Sequence, residues 1–151
     1  MMQFQKDELF SVLILQDDKY GKIFGKTIIS NTSIPSGTLI YEIKDYEIKD
    51  TPNYQTIQIG KNLHLQDSGA ISFMNHSCNP NCIIDTKLLG VYAIKNIIKG
   101  DELTFFYPST EWKLSQPFKC NCNYDNCIGY VDGLHSLDIS EISKRYYINK
   151  Y

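Results

Sequence analysis

Phe73-Met74-Asn75-His76-Ser77-Cys78-Asn79-Pro80-Asn81 is the most informative run of the 151-residue chain. An apolar pair is followed by three polar side chains and a cysteine. Asn79-Pro80-Asn81 then makes a turn, since asparagine and proline both favour one. A lone histidine in such a place is ordinarily a satisfied turn residue. Here more than the histidine is present, and the run has counterparts on both sides.

Downstream, Cys120, Cys122 and Cys127 form C-x-C-x4-C, with Gly129 just beyond. Thiolates this close suit a single ion, and structural zinc prefers four cysteine or histidine ligands in a tetrahedron. Three local cysteines leave one ligand open, for which Cys78, Cys82 and His135 are the candidates. Buried free cysteines are common, but they rarely cluster in a polar segment. Asn121, Asn123, Tyr124, Asp125 and Asn126 carry little apolar surface, so metal binding would supply the order. A zinc ribbon that binds nucleic acid is the rival reading of these cysteines, but the formal charge of -2 and the pI near 5.9 disfavour it. They suit a basic protein or peptide partner better.

Working outward, short β-like runs dominate. They are Val12–Leu15, Thr27–Ile29, Leu39–Ile43, Thr56–Ile59, Leu63–Leu65, Cys82–Asp85, Leu89–Ile94 and Leu103–Phe105. Several alternate apolar and polar residues, as half-buried strands do. Pro35-Ser36-Gly37, Gly60-Lys61-Asn62 and Lys99-Gly100-Asp101 are turn signals between them. Asp45 to Asn53 is polar and charged and reads as a loop; its Asp45, Glu47 and Asp50 could attract a basic peptide, although solvated loop charges are the commoner case. Ser109 is expected to cap a single turn through Trp112. Ile139, Ile142 and Tyr146 recur at i, i+3 and i+7, which predicts a short amphipathic C-terminal helix docked on the domain. The length fits one domain. No run approaches the ~18 apolar residues of a membrane span. Met1 to Phe10 lacks the pattern of a signal peptide, so an intracellular, reducing setting is expected, cytoplasmic or nuclear.

The opening run resembles the N-H-S-C-x-P-N motif of SET-domain protein-lysine methyltransferases. Gly100-Asp101-Glu102-Leu103-Thr104-Phe105-Phe106-Tyr107 is similar to the family's G-E-E-L-T-F-D-Y. Gly25-Lys26-Thr27-Ile28-Ile29-Ser30, followed by Ile34-Pro35-Ser36-Gly37-Thr38-Leu39-Ile40, resembles G-x-G-V-F-A and I-P-K-G-x-x-I. The cysteine tail resembles the post-SET motif. All four stand in the family's order, over about residues 20 to 131. Thr27, Ile29, Ser72 and Phe106 depart from the usual residues.

The resemblance implies a mainly β, β-clip-like fold of short antiparallel strands with a knot-like active-site segment. It divides the chain into a SET domain (1–116), a zinc-bound post-SET segment (117–133), and a C-terminal helix and tail (134–151). It implies S-adenosylmethionine as cofactor and zinc held by Cys78, Cys120, Cys122 and Cys127, with Cys82 spare. Tyr107 would be catalytic. Gly25, Lys26, Thr27, Phe73, Asn75 and His76 would bind the cofactor. Phe105 and Phe118 would line the lysine channel, and Tyr130 and Val131 would cover the cofactor. Phe105 implies a di- or trimethyl-lysine product. The partner would be a basic protein or peptide, a histone tail being one candidate, with no direct nucleic acid or membrane contact. The alternative is a catalytically silent SET fold acting as a zinc-stabilised binding module.

Overall fold

The computed structural model describes residues 2–6, 9–16 and 23–150. The chain begins as an antiparallel meander of β1 (Met2–Lys6), β2 (Phe10–Gln16) and β3 (Ile23–Ser30). Period-2 alternation puts Phe10, Val12 and Ile14 on one face of β2, and all three are buried. Val12 pairs with Ile28 across the ladder. The same period sets Lys26 on the Ile28 face.

Next come β4 (Leu39–Glu42), β5 (Tyr46–Lys49), β6 (Thr56–Gly60) and β7 (Leu63–Asp67). A 3-10 turn over Ile71–Phe73 leads into β8 (Asn75–His76). Then follow β9 (Cys82–Asp85), β10 (Gly90–Ala93), β11 (Thr104–Phe105), β12 (Phe118–Lys119), β13 (Tyr130–Val131) and the single turn α1 (Ile139–Ile142). The sheets are ordered β4-β10-β9, β5-β7-β6, β11-β8 and β12-β13. All these pairs are antiparallel except β11 with β8, which is parallel. The eight expected strands all fall in or on these elements. Gly37 and Gly100 have φ of +91° and +93°, the left-handed turn conformation that favours glycine.

Val12, Ile28, Ile34, Leu65, Ile84 and Leu103 lie in the main core. A smaller cluster joins Leu114 and Val131 to Cys78 and Cys120. Tyr107 packs against both and so stands at their junction. Among the described residues no helix is long and apolar enough to cross a membrane.

Three local expectations are corrected. Within Asp45 to Asn53, Tyr46–Lys49 is strand rather than loop, with Ile48 opposite Leu65. It is an edge strand with no buried face, Ile48 itself being 50 % exposed, so its sequence carries no hydrophobic signal. The turn expected after Ser109 lies two residues earlier, as a 3-10 turn over Tyr107–Ser109, and the Ser109 hydroxyl caps nothing. Proline at its second position already has the φ this turn needs. Finally, α1 spans one turn, with Asp138 capping it through the Ser140 and Glu141 N–H groups. Ile142 docks, Ile139 remains exposed, and Tyr146 acts from beyond the helix.

Candidate active site and cysteine cluster

The parallel pairing of β8 with β11 organises the site. Asn75 stands opposite Thr104, and His76 opposite Phe105. The Ser77 N–H donates to the Phe105 carbonyl at 3.1 Å. Asn81 locks the two segments. Its amide donates to the Glu102 carbonyl at 2.8 Å, and its side-chain oxygen accepts the Thr104 N–H at 2.9 Å. The turn after Cys78 is therefore what holds Gly100–Tyr107 against Asn75–His76.

Tyr107 donates its hydroxyl to the Met74 carbonyl at 2.6 Å. Burial, with the carboxylates of Glu102 and Glu111 adding to it, raises this phenol above its ordinary range. It stays protonated at neutral pH and keeps acceptor capacity on its oxygen. Phe105 packs on Tyr107 at 4.9 Å between ring centroids, and Phe118 meets it edge-on at 5.9 Å.

His76 joins Tyr107 to the cysteines. Its Nδ1 accepts the Tyr107 main-chain N–H at 3.1 Å, and its Nε2 lies 3.3 Å from the Cys78 sulfur. The first bond assigns the proton to Nε2, so Nε2–H donates to the sulfur. Burial lowers the ring to about 4, which keeps it neutral.

Asn75 donates to the Lys26 carbonyl at 2.9 Å and to the Glu102 carboxylate at 2.8 Å. The Thr27 hydroxyl donates to the same carboxylate oxygen. The Lys26 ammonium lies 5.3 Å from the Phe73 ring centroid, a cation–π contact. Lys26, Phe73, Asn75, His76, Phe105, Tyr107 and Phe118 all line one cavity of about 1050 Å³. That is room for a drug-sized cofactor together with an entering side chain.

Gly25 and Thr27 are not on its wall; Thr27 reaches the site through Glu102. Tyr130 does not line it and is 57 % exposed, while Val131 is buried in the small cluster, so this pair does not cover the cavity. Glu102 and Glu111 line it and were not singled out in the sequence. Glu102 sits within a quoted motif. Glu111 follows Tyr107 by one turn, a spacing that carries no signal without the fold.

The sulfurs of Cys78, Cys120, Cys122 and Cys127 lie within 4.8 Å of one another, with Cys78 and Cys120 at 3.9 Å. Zinc–thiolate bonds of about 2.3 Å in a tetrahedron require sulfur separations of about 3.8 Å, so the set fits a zinc ion. The Ile128 N–H donates to the Cys78 sulfur, and the Gly129 N–H to that of Cys127, both at 3.4 Å. Burial raises the Cys120 thiol to about 11. At Cys122 burial acts the same way, but main-chain N–H groups and neighbouring thiols bring it down to about 7. Cys82 lies outside the cluster, and burial raises it to about 12. His135 pairs with Asp132 at 3.3 Å instead.

The C-terminal tail closes over this cluster. Tyr146 donates to the Cys78 carbonyl at 2.7 Å, and Asn126 donates to that carbonyl at 2.9 Å and to the Tyr146 oxygen at 3.1 Å. Tyr146 stacks on Phe106, with centroids 3.7 Å apart and planes 2° from parallel. This stack accounts for an aromatic residue where the motif usually has an acid.

The chain belongs to the SET-domain family, whose profile matches residues 25–108. It is similar to the methyltransferase flvH of Aspergillus flavus, with 35 % identity over 124 residues, covering 81 % of this chain and 69 % of that protein. It is also similar to the histone-lysine N-methyltransferase, H3 lysine-36 specific, of Eremothecium gossypii, at 30 % identity over 165 residues. That match covers 96 % of this chain but 24 % of the relative's length. The corresponding protein of Schizosaccharomyces pombe is 27 % identical over 154 residues, and 19 % of its length is spanned. Among solved structures, the crystal structure of KRYPTONITE in complex with mCHG DNA and SAH aligns with a TM-score of 0.57 and 24 % identity. The alignment covers 80 % of this chain and 29 % of that one, and it bears on the fold.

Proposed function

We propose that the protein transfers methyl groups from S-adenosylmethionine to a lysine side chain of a protein substrate. The observation that carries this reading is the β8–β11 pairing, which sets Asn75, His76, Phe105 and Tyr107 around one cavity. The relatives named as histone-lysine methyltransferases support it and make a basic histone tail a candidate substrate.

The cofactor supplies an electrophilic methyl group on a sulfonium. The attacking lysine must be neutral, although its ordinary pKa is about 10.4. Phe105, Phe118 and the ring of Tyr107 provide an apolar channel that disfavours the ammonium form. The Tyr107 hydroxyl, fixed by the Met74 carbonyl, orients the amine for in-line displacement. Asn75, held by Glu102 and the Lys26 carbonyl, and His76 form the cofactor wall. Lys26 and Phe73 border it, Thr27 supports it through Glu102, and Gly25 would contribute main chain to the cofactor's methionine part.

Cys78, Cys120, Cys122 and Cys127 would hold one zinc ion in a structural role. Segment 117–133 then closes on the catalytic part, 1–116, and the tail 134–151 pins it. Such reduced thiols suit an intracellular setting. Phe105 places no hydroxyl beside the amine, so a di- or trimethylated product is favoured. The test is transfer of labelled methyl groups from S-adenosylmethionine to a panel of basic proteins. Incorporation into lysine supports the reading; cofactor binding without incorporation into any of them would favour the silent binding fold.

A further inference from the structure

We propose that Glu111 receives the ammonium group of the incoming lysine and takes its proton before transfer. This rests on reading the cavity as a lysine methyltransferase site, and it adds a residue that the motifs do not contain. Glu111 lines the same cavity as Phe105 and Tyr107, yet it is only 9 % exposed. A carboxylate this buried normally has a cation beside it. Among the described residues none is paired with it. Its Oε2 accepts the Gln58 N–H at 2.8 Å, and the Thr110 hydroxyl is its other neighbour.

The position is rigid. The Glu111 N–H donates to the Tyr107 carbonyl at 3.1 Å, and its own carbonyl accepts the Leu134 N–H at 2.9 Å. The adjacent Trp112 N–H donates to the Gln58 side-chain oxygen at 3.0 Å, completing a two-way clasp between this segment and β6. The Gln58 N–H thus holds the carboxylate at the wall. A cation entering between β6 and Tyr107 is what such a wall recognises.

Burial raises the Glu111 carboxyl to about 7, so it accepts a proton readily near neutral pH. In the step proposed, one proton passes from the lysine ammonium to the Glu111 carboxylate. This leaves a neutral amine and a neutral acid. The amine lone pair then bonds the methyl carbon as the sulfonium C–S bond breaks, and its electrons stay on sulfur. Glu111 returns its proton to solvent through the open cavity. The ionisable groups on this and the packed segments are Tyr107, Lys113, which is exposed, and Asp132 and His135, which are paired with each other. β6 contributes none, and His64, opposite Gln58 on β7, responds chiefly to burial and then to Asp50.

The test uses n-butylammonium chloride as a lysine-stem probe and 1-butanol as its uncharged counterpart, with binding followed by NMR of the full chain. Glu111→Gln preserves an oxygen for the Gln58 N–H and removes only the charge. The expected result is saturable n-butylammonium binding that weakens at least tenfold in Glu111→Gln, with 1-butanol unaffected. The rate of methyl transfer should also lose its acid limb near pH 7 in the variant. Equal n-butylammonium binding by both proteins overturns the proposal, as does an unchanged pH profile. Absence of methyl transfer by the parent is a separate result; it sinks the proposed function, whereas the binding comparison judges Glu111.

Discussion

Replacing Cys127 with serine separates what the metal does for segment 117–133 from what packing does. The apolar core beneath the cysteines is small: Leu114 and Val131 are its buried aliphatic side chains. Burying two such residues is worth about 3–6 kcal/mol. A structural zinc ion contributes about 10–16 kcal/mol in small metal-dependent folds. The metal thus outweighs the packing, and a fourth ligand is needed to keep it. Purified Cys127→Ser should lose most of the one zinc per chain expected in the parent, by elemental analysis. Its amides after Pro117 should exchange early while the main core stays protected. Cys82→Ser is the control, because Cys82 lies buried on β9 outside the cluster. Placing a hydroxyl there costs about 1–3 kcal/mol and lowers Tm with the metal retained. Zinc retained by Cys127→Ser, or released by Cys82→Ser, refutes the ligand assignment.

Tyr107→Phe should keep S-adenosylmethionine binding within a few-fold, by calorimetry, and lower methyl transfer by ~10²-fold or more; near-parent turnover removes Tyr107 from the central role. Phe105→Tyr should shift the product towards monomethyl-lysine in intact-mass time courses, and a parent that stops at one methyl with cofactor in excess contradicts the open-channel reading. Glu111 also makes stability pH-dependent. Its folded pKa of about 7 lies above the unfolded value, so its contribution is full below pH ~4.5 and is lost as pH rises through 7, about 3 kcal/mol in all. Glu111→Gln should therefore raise Tm at pH 8 relative to the parent and not at pH 4; parallel Tm curves would show that Glu111 is not the titrating group. Ile28→Ala in the main core should cost about 2–5 kcal/mol in a denaturant titration, with no change in zinc content.

The motifs made the centre of the fold and the cysteine set readable, because Asn75-His76, Asn81 and Gly100–Tyr107 are short, ordered and chemically specific. Other strands announced themselves by alternation, as in Gln55-Thr56-Ile57-Gln58-Ile59, or by a short apolar run, as in Val12–Leu15. What stayed hidden has a physical reason in each case. Tyr46–Lys49 is an edge strand with both faces wet, so it leaves no hydrophobic period. β8, β12 and β13 are two-residue pairs defined by their partners alone. Glu111 gains its character from burial against β6, which no local pattern encodes. Phe106 reads as a departure from the motif until its distant stacking partner Tyr146 is known.

If this cavity moves a methyl group onto a lysine nitrogen, the transfer is visible as added mass. Basic proteins are incubated with the full chain and S-adenosylmethionine carrying a trideuterated methyl group, then mapped by mass spectrometry. Increments of ~17 Da, the mass of a trideuterated methyl replacing a hydrogen, should appear and localise to lysine. They should be strongly reduced for Tyr107→Phe. Label found on another residue type, or equal labelling by parent and Tyr107→Phe, would contradict the assignment of this site.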